Sequence, residues 1–193
     1  MSYVIAVDVG IKNLGLCIFD FRISKVVLWE NVTLVPSGRY IPAHNVQYVR
    51  DFVRKYEDYF DNAFQVIIER QMRCNMRIIE SLMQSMYFDR CIVISARSVK
   101  AHYDLSTRNY RANKQKAVQW ATNFIWQNPQ VFVDEIRESY RAAKKQDDLA
   151  DSLLMLMYYL DTYSNQLTST ISADYTIIDE LFQVRRAVHG KVG

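Results

Sequence analysis

The sequence predicts an α/β protein built on a mixed five-stranded sheet flanked by helices, and three observations predict it. Apolar runs of strand length crowd the first half of the chain, and helical patterns fill the second. The first three strands follow one another across turns so short that only hairpins connect them, which makes them antiparallel. Five Gly and three Pro in 193 residues are too few for an all-β chain of many tight turns, and also speak against disorder. Half the residues are hydrophobic, enough for one sizeable core, so residues 1–193 are expected to form a single domain.

Residues 3–9 read as a buried strand, and 14–20 and 25–33 complete a meander after polar or Gly-containing turns. Residues 35–42 hold most of the Pro and read as a loop. A helix over 43–59 follows from the spacing of Val46, Val49, Phe52, Val53 and Tyr56. Residues 65–69 and 91–94 are strands four and five, joined to the rest through helices and therefore parallel additions. Between them Met72, Met76, Ile79, Met83 and Met86 recur at three- and four-residue steps, a stripe that serves either a core or a partner surface. Helical patterns resume over 112–127, 131–141 and 147–163, and a polar stretch from Ser164 to Ser172 precedes a terminal helix.

Cys17, Cys74 and Cys91 are odd in number and far apart, which fits a reducing compartment and neither a disulfide framework nor a zinc site. No run approaches the roughly 20 apolar residues of a membrane span. Asp8 falls too early for a signal or transit peptide to precede the first strand. The formal charge of +3 is small, but residues 97–116 carry six Lys or Arg against one acid, Asp104. His102 and His189 lack ligand spacing and receive no metal role.

The chemistry is carried by acids at the ends of apolar runs. Asp8 ends the first strand, Glu69 the fourth, and Asp148 and Asp151 open the last long helical pattern, three residues apart on one face. Carboxylates at the ends of buried strands are costly unless cations compensate them, so the four are expected to converge within a few ångströms on shared ions. Mg2+ suits carboxylate oxygens and a substrate phosphate together, and two ions would serve phosphodiester hydrolysis. Asp147 points off that face, and Asp147 or Asp148 could equally cap a helix.

These residues carry a resemblance. Asp8-Val9-Gly10-Ile11-Lys12-Asn13-Leu14-Gly15, Ile68-Glu69-Arg70-Gln71 and Lys144-Lys145-Gln146-Asp147-Asp148-Leu149-Ala150-Asp151-Ser152 are similar, in order, to motifs of the RuvC-type Holliday junction resolvases of the ribonuclease-H-like superfamily. The poxvirus and fungal mitochondrial branch is the most similar. The resemblance implies a ribonuclease-H-like sheet, metal-binding catalytic acids at Asp8, Glu69, Asp148 and Asp151, and two Mg2+ per site, with Mn2+ as a substitute. It also implies a homodimer that makes paired symmetric nicks in four-way DNA junctions, in host cytoplasm for a viral chain or otherwise in a mitochondrion. Ala112-Asn113-Lys114-Gln115-Lys116 resembles the region of a basic catalytic residue, with Lys114 preferred and Lys116 next.

Two basic groups are expected to meet DNA. Arg70, Arg73 and Arg77 follow Glu69, and Lys100, Arg108, Tyr110, Arg111 and Lys116 lie in the second group, which offers phosphate neutralisation and rings for unstacked bases. Two other readings remain. One is a different phosphodiesterase of the same fold, such as a nuclease for RNA–DNA hybrids. The other is an actin/Hsp70-like nucleotide-binding domain, disfavoured because no second Asp-x-Gly hairpin is present.

Overall fold

The computed structural model describes residues 1–35 and 38–170. Five strands form the sheet: β1 (Tyr3–Asp8), β2 (Leu14–Asp20), β3 (Lys25–Val32), β4 (Ala63–Glu69) and β5 (Cys91–Ile94). Their order is β3-β2-β1-β4-β5, antiparallel from β1 to β3 and parallel from β1 through β4 to β5. This is the mixed sheet that the run of hairpins and crossovers predicts. Gly10 closes the β1–β2 turn where a side chain has no room, since a Cβ there would lie 2.1 Å from the Asn13 carbonyl oxygen.

Alternation along β1 decides which layer each residue serves. Ile5 and Val7 pack with Leu16, Ile18 and Ile68 beneath α1 (Asn45–Lys55), α2 (Glu57–Asp61) and α3 (Cys74–Met86). Val4 and Ala6 pack with Phe19, Trp29 and Ile67 on the opposite face, with α4 (Ala96–His102), α5 (Tyr110–Gln127), α6 (Asp134–Ala142) and α7 (Gln146–Thr170). Asp8 continues the Val4–Ala6 row and Glu69 continues from Ile67, so both point to the α7 layer. The middle of α7, from Leu153 to Leu160, is apolar all round because it lies across the sheet; Leu149, Leu153, Leu154 and Leu156 are at most 2% exposed. Each such side chain contributes about 1.5–3 kcal/mol of burial free energy.

Four elements depart from the sequence reading. The helix expected over 43–59 is a 3-10 turn (Pro42–His44) followed by α1 and α2, broken where Tyr56 takes φ −119° and ψ 27°. The break seats the Tyr56 ring against Phe52 and its hydroxyl on Glu30 of β3. The helix expected over 131–141 starts only at Asp134, because Phe132 is extended and bridges Val26 on the β3 edge. α4 was not predicted; Ser95 caps it by accepting from the Arg97 N–H. α7 runs through the first part of the polar stretch to Thr170, and the terminal helix lies outside the described residues. The Met stripe divides. Ile79 and Met83 are fully buried, whereas Met72 and Met86 are exposed.

Candidate active site

Strand register brings the first two acids together. Val7 pairs with Ile68 across the parallel β1–β4 ladder, so Asp8 and Glu69 come next on neighbouring strands. Their carboxyl groups are neighbours, and the Glu69 carboxyl disfavours ionisation of Asp8. Asp8 keeps partial solvent access at the strand end, yet enough protein surrounds its carboxyl to push its pKa well above the ordinary value. Burial is the largest cause, followed by Glu69 and then by the charges of Asp151 and Asp148. Gln71 holds Glu69 from behind: its side-chain amide donates to Glu69 Oε2 at 2.7 Å, while its backbone N–H donates to Glu80 Oε2 at 2.7 Å.

The second pair of acids sits on the first two turns of α7, on the side facing Asp8. Burial raises the Asp148 pKa, Asp147 raises it further, and Lys114 and Lys145 oppose the rise. Burial also raises Asp151, against the charge and hydrogen bond of Lys100. The Lys100 ammonium lies 3.0 Å from Asp151 Oδ1 and 3.3 Å from Oδ2, and both side chains are only 15% exposed. Lys114 forms its ion pair with Asp147 instead. Burial raises Asp147 too, but the Lys114 hydrogen bond and charge bring it below the ordinary carboxylate value.

Asp8 and Glu69 are therefore neighbours at the ends of paired strands, and Asp148 and Asp151 act on Asp8 by charge. Among the described residues, no three His, Cys, Asp or Glu side chains stand close enough to hold one ion, so the expected convergence of all four acids is only partly met. The donor set nevertheless suits a hard divalent cation, being carboxylate oxygen throughout. Asp151 Oδ1 is buried and its only charged contact is the Lys100 ammonium at 3.0 Å, so a cation already occupies the place where an ion would be held.

The basic residues separate into two kinds. Arg70, Arg73, Arg77, Arg108, Tyr110, Arg111 and Lys116 are exposed, as a DNA-facing surface requires. Lys100, expected among them, instead turns its ammonium inward onto Asp151. Lys114, expected as the basic group of the site, is spoken for by Asp147, with its ammonium 5.5 Å above the Tyr110 ring. Sequence reasoning overlooked the structural partners of the acids, Gln71 and Trp29. The only signal for either was position: Gln71 lies two residues past Glu69, and Trp29 is the one Trp in a strand pattern. No helix among the described residues is long and apolar enough to cross a membrane.

A family model described as Poxvirus A22 protein matches residues 2–162. The chain belongs to the Poxvirus A22 protein family. The chain is similar to the crystal structure of the fowlpox virus Holliday junction resolvase, with 20% identity over 83% of this chain and 98% of that one, at a TM-score of 0.60. It is also similar to the yeast mitochondrial Holliday junction resolvase Ydc2, with 18% identity over 87% of this chain and 86% of that one, at 0.61. A fowlpox virus resolvase in complex with its substrate Holliday junction DNA matches at 21% identity over 81% of this chain and 95% of that one, at 0.59. At these identities the likeness shows the fold alone, the mixed five-stranded sheet flanked by helices. No curated protein matches the chain.

Proposed function

We propose that this protein is a metal-dependent endonuclease that nicks four-way DNA junctions at symmetric positions. The observation that carries the reading is the Asp8–Glu69 carboxyl pair at the ends of adjacent parallel strands, with Asp148 and Asp151 bearing on it from α7. Membership of the Poxvirus A22 protein family supports it, as does the likeness to resolvases, one of them bound to a Holliday junction.

In this reading Asp8, Glu69, Asp148 and Asp151 hold two Mg2+ ions, with Mn2+ as a substitute. Those ions supply the positive charge that activates a water and steadies the leaving oxygen. Gln71 keeps Glu69 turned into the site. Lys100, paired with Asp151, and Lys114, paired with Asp147, are the two cations held at the acids and would be available to a substrate phosphate. Arg70, Arg73, Arg77, Arg108, Tyr110, Arg111 and Lys116 bind the arms through phosphates and a stacked base. Two symmetric nicks need two sites related by a two-fold axis, hence a homodimer. The exposed side of α3 offers a surface for it, with Met72 and Ile78 lining an open groove of about 600 Å³ and Met86 exposed at the end of the helix.

Asp8→Asn tests the reading. The variant should bind a synthetic four-way junction as tightly as the wild type does, yet cut it at least about 100-fold more slowly, because a ligand oxygen of the metal site is lost. Cutting that survives the substitution refutes the site. Equal wild-type rates on junctions, RNA–DNA hybrids and plain duplex refute the substrate.

A further inference from the structure

Deep in the α7 layer, Trp29 reaches from β3 to the helix that carries half of the acids. Its indole N–H donates both to the Leu149 carbonyl, at 2.9 Å, and to Ser152 Oγ, at 3.2 Å. The ring is stacked on Tyr140 of α6, with centroids 4.5 Å apart and planes 7° from parallel, so its own direction is fixed. Trp29 is 4% exposed and Ser152 is fully buried. Ser152 Oγ donates onward to the Leu149 carbonyl at 2.8 Å, closing a small buried network.

The two atoms held by the indole belong to the residues that directly follow the two acids. Leu149 follows Asp148, and Ser152 follows Asp151. The same turns are gripped at two further points. The Asn31 side-chain amide donates to the Lys145 carbonyl at 2.8 Å, and Gly15 of β2 lies so close that a Cβ there would come within 2.3 Å of the Asp148 carbonyl oxygen. An α-helix advances 1.5 Å and turns about 100° per residue, so a small slip or roll of its first turns carries both carboxylates away from Asp8 and Glu69 together. A buried N–H also resists such slippage, because leaving its acceptors leaves it unpaired.

We infer that Trp29 is a positioning residue: its indole N–H sets the height and rotation of α7, and thereby the reach of Asp148 and Asp151 toward a divalent ion shared with Asp8 and Glu69. The inference rests on the metal-site reading given above. Removing a group that orients a ligand typically lowers metal affinity by about 10–100-fold.

The test uses Mn2+ on the DNA-free full-length protein by calorimetry, together with the Mg2+ dependence of junction cutting. Trp29→Phe keeps an aromatic ring against Tyr140 and loses the N–H. Its Mn2+ dissociation constant should rise about tenfold, and its half-saturating Mg2+ should rise by the same factor. Its kcat at saturating Mg2+ should stay within about twofold of wild type, since the smaller ring adds no atom that bars α7 from its wild-type seat once the ion is bound. If Trp29→Phe does not fold, β-(3-benzothienyl)alanine at position 29 preserves the ring shape and removes only the N–H, with the same outcomes expected. A variant that melts lower but binds Mn2+ as the wild type does overturns the inference, whatever its cutting rate. Wild-type protein that takes up no Mn2+ overturns the metal-site reading and this inference with it, so the two failures are told apart.

Discussion

Gly15→Ala perturbs the site without touching any of its functional side chains. Gly15 lies opposite Asp8 in the β1–β2 ladder, and the α7 backbone passes directly over it. An alanine Cβ there would lie 2.3 Å from the Asp148 carbonyl oxygen, 3.0 Å from its carbonyl carbon and 3.2 Å from Ser152 Cβ. Ordinary contact begins at 3.4 Å, so α7 must retreat by about 1 Å, and close-packed interiors cannot absorb that in one side chain. Overpacking of this kind costs about 1–3 kcal/mol. For a chain of this size the loss lowers the melting temperature by about 2–12 °C. The retreat also moves Asp148 and Asp151 by about the same distance, and a misplacement of about 1 Å at a reacting centre costs roughly 100-fold in rate. The assay is single-turnover cutting of a synthetic four-way junction at saturating Mg2+, beside a thermal melt. Gly38→Ala is the control: its φ of +79° makes alanine strained, but nothing lies within 4 Å of the new Cβ, so stability should fall while cutting holds. A Gly15→Ala protein that cuts at the wild-type rate refutes the claim that the seating of α7 sets the geometry of the acids.

Three further predictions follow from the charges and the surface. Asp8 has a pKa raised on folding, so metal-free protein bears no penalty from it below the ordinary value of 3.8 and loses stability as pH rises from there through the folded value. Asp8→Asn should therefore raise the melting temperature in EDTA at pH 7 and flatten its fall with pH; an unchanged slope contradicts the shift. Lys100→Met leaves Asp151 buried without its cation, at a cost of up to about 3 kcal/mol, and the loss should show in EDTA and shrink when Mg2+ is added. An equal loss in both conditions would mean that the Lys100–Asp151 pair is unconnected to metal. Ile78→Glu, on the exposed side of α3, should shift a dimer to monomer in sedimentation and abolish paired nicking while Asp8-dependent Mn2+ uptake persists; an unaltered sedimentation coefficient rules this face out.

The strands were legible because burial on two faces leaves contiguous apolar runs, and an acid at the end of such a run stands out against them. Asp8 and Glu69 are of that kind; alternation sets Asp8 in the row of Val4 and Ala6, and the Val7–Ile68 register brings Glu69 to the same face. Helix boundaries were less legible wherever tertiary contacts decided them. Nothing in the periodicity of residues 43–59 marks Tyr56 as a break, since the break exists to bring its ring to Phe52 and its hydroxyl to Glu30 across the sheet. Phe132 reads as part of a helix until its backbone finds Val26. α4 is seven residues long and mostly polar, too short to display a period, and its Ser95 cap is visible only in hindsight.

The lysines explain why the site was harder to read than the strands. A basic cluster in sequence carries a sum of charges and no direction, so Lys100 and Lys116 looked alike. Lys116 is exposed, whereas Lys100 leaves α4 toward α7 and ends 3.0 Å from Asp151. The difference follows from what a cluster of buried acids demands. Four carboxylates around one end of a sheet repel one another, and the fold limits the cost in three ways: a raised proton affinity at Asp8, an ammonium at Asp151 and another at Asp147. Each ammonium is a monovalent cation beside an acid, and at Lys100 that acid is an assigned metal ligand. The prediction for Lys100→Met separates a cation that substitutes for the ion from one that only braces the helix, because Mg2+ can restore the first kind of loss and not the second.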